Sequence, residues 1–341
     1  MKIILCICLF AIGIAEAYTQ DWGFVRSVAW GKTFWADMNG ELLRGEFSWA
    51  KNDPAYYFKD INRTDYTGYV FGNAAVNFPL FSWDNEERDI SVSVGIPVAF
   101  EIWMGPSEDT FPVQNTDYHI GLPEPSVLFR FNPFIGIKNA GFRVSFARHE
   151  STHISDEMQI YRDAQDDIAL KRMDVASTHQ EIRFIINDPD GSRDWNNSVR
   201  FGFIFDLLRL EQKHTGWYLS EGIGQDASLV EPNKTFIFYL QDQFQTASFG
   251  PGFQGIASIE LRIRDRHRYP IGYSTKMDSP EIHFVPCVNL LLGIRYYRPN
   301  SENDFYSKIG LAFRYYYGIN PYGQYRSLLN YQQMGICILL E

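Results

Sequence analysis

Beyond the first twenty positions the chain has no run of the roughly 20 consecutive apolar residues that a membrane-spanning helix needs, which excludes a helical bundle in a bilayer. Cysteine is scarce, with four in 341 residues. Cys6 and Cys8 lie in the N-terminal apolar run, so only Cys287 and Cys337 serve the body of the chain. That count excludes a disulfide-rich scaffold. One bridge or two buried thiols are the readings left, and both residues fall inside alternating segments, which favours thiols. No cysteine follows the run in the position that would carry a lipid. Positive charge is also short, with 31 Lys and Arg against 41 Asp and Glu, a net charge of −10. Nucleic acid is therefore not an expected partner.

What is present begins with an export signal. Lys2 precedes the apolar run Ile3 to Ile14, and Ala15-Glu16-Ala17 supplies a small-x-small cleavage site. Cleavage is expected near Ala17, with residues 1–17 removed. Aromatic residues make up 16 % of the chain, yet the mean hydropathy is −0.25. Many aromatics with a polar average suit a wall that is apolar on one side and wet on the other.

The pattern that produces such a wall has period two. Ile90, Val92, Val94, Ile96, Val98, Phe100, Ile102 and Met104 alternate with Ser91, Ser93, Gly95, Pro97, Ala99, Glu101 and Trp103. A tilted strand needs roughly 9–11 residues to cross a bilayer, and this one exceeds that. The alternation recurs at 199–207, 257–264, 282–296, 305–315 and 334–340. Weaker copies lie near 24–34, 66–76, 118–132, 136–153, 176–187 and 234–245. About twelve strands result, an even number that suits a transmembrane antiparallel up-and-down β-barrel over residues 18–341. Tyr and Trp gather at strand ends (Trp103, Tyr296-Tyr297, Tyr315-Tyr316-Tyr317), as an interfacial girdle requires. A soluble β-sandwich would have shorter strands and no such girdle. The expected address is the outer membrane of a Gram-negative-type envelope.

If the continuous apolar set meets lipid, the alternate set lines the lumen. Glu101, Arg143, Arg183, Arg200 and Asp206 then face inward. So do Glu260, Arg262, Arg264, Arg295 and Arg314. In a narrow barrel these charges pair and fill the interior; in a wide one they border water and set ion preference.

The densest polar run is Arg148-His149-Glu150-Ser151-Thr152-His153-Ile154-Ser155-Asp156-Glu157. His149 to His153 spells H-E-x-x-H, which binds zinc only on a helix, where the two imidazoles share a face. On a strand they would stand roughly 13 Å apart. The strand pattern of 142–147 argues against the helix, and neither a metal nor a cofactor is expected. His149-x-Ser151 supports a second chemistry, since two residues apart on a strand a histidine can deprotonate a serine. A third reading is binding alone. Counted from Arg143, strict alternation puts His149, Ser151 and His153 on the inner face near the strand end, with Asp156 and Glu157 at the mouth. A polar or anionic ligand could be held there.

His149-x-Ser151 resembles the motif of two barrel lipid hydrolases of the outer membrane, the phospholipase A and the lipid A 3-O-deacylase. The resemblance implies Ser151 as nucleophile, His149 as base and Asp163 as the group that orients it. Thr152 stands where those motifs carry Asn. The whole run also resembles the bacterial family called domain of unknown function 1207, on His149, Ser151, His153, Asp156 and Glu157. Thr152 and Ser155 replace a Ser and a Gly of that pattern. This resemblance implies an exported barrel and no particular reaction. The expected function is thus a barrel of structural, transport or ligand-binding type with a charged lumen, the alternative being a lipid hydrolase. Its expected partners are membrane lipid, the machinery that assembles barrels and a small polar or anionic ligand.

Overall fold

The computed structural model describes residues 22–23, 43–51, 67–85, 89–105, 113–134, 136–154, 174–187, 195–213, 226–230, 236–265, 284–297, 308–319 and 331–340. The proposed leader and the strand expected at 24–34 lie outside them. The strands are β1 (Trp22–Gly23), β2 (Leu43–Lys51), β3 (Thr67–Asn85), β4 (Ile90–Met104), β5 (Val113–Gly121), β6 (Glu124–Phe134), β7 (Ile137–Ile154) and β8 (Asp174–Ile186). They continue with β9 (Asn196–Lys213), β10 (Asp226–Val230), β11 (Phe236–Gln245), β12 (Phe253–Asp265), β13 (Phe284–Tyr297), β14 (Lys308–Gly318) and β15 (Tyr331–Leu340).

All strand pairs are antiparallel, and β15 pairs β2 from Gln332↔Lys51 to Leu340↔Leu43, which closes the sheet. The closed wall has twelve strand positions. One of them is β2, a segment the alternation did not single out, and the segment 24–34 lies outside the described residues. In β2, Gly45, Phe47 and Trp49 alternate with Arg44, Glu46 and Ser48, a short pattern diluted by charge. β5 and β6 together fill one position between β4 and β7. They are interrupted at Pro123, which has no N–H to give a ladder. Pro97 of β4 packs there; a Cβ on Gly121 would stand 2.5 Å from its ring.

The connections 86–89, 135–136, 187–195, 246–252 and 298–307 lie at the end of the barrel that carries Leu43 and Leu340. At the other end lie 52–66, 105–112, 155–173, 214–235, 266–283 and 319–330, all but 105–112 longer than any of these. Short turns on one side and long connections on the other are the asymmetry of bacterial membrane barrels.

Burial is inverted relative to a water-soluble core. Leu292, Phe146, Ile309, Leu311, Phe313, Ile336 and Ile338 are exposed. Arg44, Glu46, Glu124, Glu181, Arg200, Glu260 and Arg314 are buried. An apolar outside with a polar inside is what contact with hydrocarbon demands, because water would select the reverse. Trp195, Phe249 and Tyr296 are exposed towards the short-connection end, and Trp49, Tyr118 and Tyr317 towards the other. Cys287 and Cys337 are buried free thiols on β13 and β15, with β14 between them, so they form no bridge.

Five register shifts adjust the wall among the described residues, three of them in β3, β7 and β9. Leu80 is the extra residue of β3 between Pro79↔Gly95 and Phe81↔Val94. In β7, Phe146 and Ala147 together face Gln180, between Ser145↔Glu181 and Arg148↔His179. In β9, Leu207 is extra between His179↔Asp206 and Thr178↔Leu208. A bulge resets which face later residues occupy.

Candidate functional site

The β7 bulge corrects the expected inner face of the 148–157 run. After Phe146-Ala147, Arg148 and Glu150 are buried, and His149 is exposed. His149 therefore belongs to the outer wall. Its Nδ1 lies 3.3 Å from the Thr178 hydroxyl on β8. The strand continues to Ile154, so residues 149–153 are not helical. His149 and Glu150 lie on opposite sides of the sheet, and the zinc-hydrolase arrangement does not form. Among the described residues no group of three or more His, Cys, Asp or Glu is placed to hold a metal. The Ser151 backbone registers between Tyr118 on β5 and Ala176 on β8. That of His153 registers between Thr116 and Asp174. Asp156, Glu157 and Asp163 lie outside the described residues.

Inside the wall, strand pairing assembles two ionic networks. Around the bulges, Glu124 accepts from Arg148 Nη2 at 3.1 Å, and Arg143 Nη1 stands 3.9 Å from its other oxygen. Arg183 makes two bonds to Glu181, at 2.8 and 2.6 Å. Arg148 Nη1 stands 3.9 Å from Glu181 and links the two carboxylates. The Tyr239 hydroxyl donates to Glu181 at 2.6 Å. It reaches across Gly202 of the intervening strand, where a Cβ would collide with that hydroxyl. The Arg200 and Arg262 guanidinium groups also stand over the Tyr239 ring, 5.8 and 5.9 Å from its centre. Arg200 donates to Gln241, Gln241 to Glu260 at 2.5 Å, and Arg262 to Glu260 at 2.6 Å.

The second network lies across β14, β15 and β2. Arg314 Nη1 donates to Glu46 at 2.8 Å, and its Nε donates to Asn289 at 2.9 Å. Gln333 donates to Glu46 at 3.0 Å and to Ser48 at 2.9 Å. Nearer the short-connection end Arg295 donates to Gln254 and Gln245, at 2.9 and 2.6 Å. Asn73 donates to Glu101 at 3.0 Å. Arg314 is 0 % exposed, Glu260 1 % and Gln241 0 %. Side chains bordering a water-filled channel would keep accessible surface; these keep almost none. Such pairs repay desolvation only when their remaining hydrogen bonds are also made, as the amides and Tyr239 do here.

Glu101, Arg143, Arg200, Glu260, Arg264, Arg295 and Arg314 are all buried, and the side chains of Arg183 and Arg262 are 12 % exposed. Asp206 pairs His179 in backbone register. The sequence reading missed Glu46 because β2 was missed, and Glu124 and Arg148 because both flank irregularities. The alternation within Leu43–Lys51 was the available signal for the first.

No family model matches the chain, and no curated protein does. Among solved structures it is similar to the outer membrane phospholipase A of Escherichia coli, at 13% identity and a TM-score of 0.46, covering 88% of this chain and 96% of that one. It is similar to a Pseudomonas aeruginosa FadL homologue at 9% identity and 0.37, covering 87% and 88%. The NanC porin matches at 8% identity and 0.35, over 88% and 99%.

Proposed function

We propose that the chain resides in an outer membrane as a barrel whose lumen is closed by its own side chains. Its role is structural or ligand-binding, exercised at the wall and at the long-connection mouth. The single observation that carries this is the burial of the Arg314–Glu46 and Arg183–Glu181 pairs inside a wall that exposes its apolar face. Ions cannot follow a path whose charges are covered by neighbouring side chains. Membrane lipid and the barrel-assembly machinery are its partners on this reading. Asp156 and Glu157 would serve a polar or anionic ligand at the mouth, with His149, Ser151 and His153 approaching it from the outer rim. In planar bilayers the purified protein is expected to carry no steady current. A stable conductance would refute the closed lumen.

One observation favours a second reading, lipid ester hydrolysis: the bulge turns His149 to the side where lipid lies. In that chemistry the Ser151 hydroxyl attacks the ester carbonyl while His149 takes its proton. The proton passes to the departing alcohol, and water then cleaves the acyl-serine. The Thr178 hydroxyl at Nδ1 would hold the ring with Nε2 towards the serine, a part that the family resemblance gives to Asp163. On the primary reading, ester hydrolysis in mixed micelles is expected to show no component that Ser151→Ala abolishes. A turnover that this substitution removes would replace binding by catalysis.

A further inference from the structure

The outer wall carries a carboxylate. On β11, Tyr239, Gln241 and Gln243 are buried in the lumen, so Leu240, Asp242 and Phe244 turn outward. Asp242 is flanked by Val199 of β9 and Ile259 of β12. The backbone amide of Gln243 serves the carboxylate, yet Oδ1 is buried with no hydrogen-bond partner. Beside it the wall forms a groove of about 430 Å³, lined by Asp242, Phe244, Ile259, Leu290, Leu292 and Phe313.

The depth of the site selects its occupant. Trp195, exposed at the short-connection end, meets Phe244 edge-on at 5.8 Å. Indole rings settle at the membrane interface. Asp242 lies two residues further along the strand, about 7 Å towards the hydrocarbon. A carboxylate with only a backbone amide for a partner is costly there, and a cation that can reach just below the interface relieves the cost. A lipid ammonium group can do so with its acyl chain already in the hydrocarbon. An anionic head group would be repelled.

We propose that Asp242 and the β11–β14 groove form a seat for an ammonium-headed phospholipid. The ammonium N–H groups donate to the Asp242 carboxylate, and one acyl chain lies along Ile259, Leu290, Leu292 and Phe313. This seat rests on the membrane reading above.

The test uses the full chain in vesicles of equal phosphatidylethanolamine and phosphatidylglycerol. After mild detergent extraction, retained lipid is measured by mass spectrometry. Wild type is expected to enrich the ethanolamine lipid by about threefold, the scale of a partly exposed ion pair. Asp242→Asn keeps the shape and removes the charge, and is expected to return the ratio to that of the vesicle. Leu290→Trp, which fills the groove, is expected to lower retention of both lipids. A wild type that retains lipid in the vesicle's own ratio overturns the seat, as does an Asp242→Asn variant that keeps the preference. A protein that does not enter vesicles at all overturns the membrane reading, and the seat with it.

Discussion

Replacing Ile336 by arginine is expected to destabilise the protein in a phospholipid bilayer by about 2–4 kcal/mol. Ile336 is 50 % exposed and sits mid-strand on β15, paired with Phe313 on one side and Phe47 on the other. Those two residues are exposed as well. In a water-soluble protein an arginine at such a site would change stability by no more than about 0.5 kcal/mol, since its charge would stay hydrated. Against hydrocarbon the guanidinium must lose its hydration or drag water into the bilayer. The measurement is equilibrium urea unfolding of vesicle-inserted protein, with Ile336→Leu as the near-neutral control. A neutral Ile336→Arg would mean that the outward face meets water. The barrel would then be soluble, and its lumen and lipid seat would need another account.

The second large effect comes from inside. Arg314→Met is expected to destabilise by about 3–5 kcal/mol, because a buried pair broken on one side leaves the other charge unpaired. The Arg314–Glu46 bond joins β14 to β2 across β15. It passes over Gly335, where a Cβ would stand 2.6 Å from a Glu46 oxygen. Without Arg314, Glu46 keeps the Gln333 amide and the Cys337 thiol, neither of which carries charge. Removing both charges together, as Arg314→Met with Glu46→Met, is expected to recover most of the loss. The same urea transition reports both variants. A double variant no more stable than the single would show that packing, and not the unpaired carboxylate, sets the cost.

The outer wall was legible because alternation is local. Each strand from Ile90–Met104 onward declares its two faces within a few residues, whatever lies beside it. β2 shows where that signal thins: Gly45 occupies an outward position and charges occupy two inward ones. The outer position of His149 was not legible. Period counting from Arg143 assumes an uninterrupted pleat, and the extra residue at Phe146-Ala147 moves Arg148, His149 and Glu150 each to the face opposite the one counted. Nothing in the composition of that stretch announces the bulge. It shows only in the pairing with β8, where Phe146 and Ala147 together face Gln180. The interruption at Pro123 had a local sign in the proline, but its consequence, two strands sharing one wall position, depends on β4 and β7.

From its sequence alone the chain was committed to long antiparallel strands with one apolar and one polar face, and so to a barrel with charges inside. The physical reason is that the pleat has a fixed period and apolar surface partitions by that period. Tertiary structure decided which charges meet. Glu46 finds Arg314, and Glu181 finds Arg183, Arg148 and Tyr239, only once the wall has closed and curved. It also decided that most of the charged inward side chains are buried and that His149 and Asp242 stand on the outer wall. Closure and register are sums over strands far apart in the chain, and no window of sequence contains them.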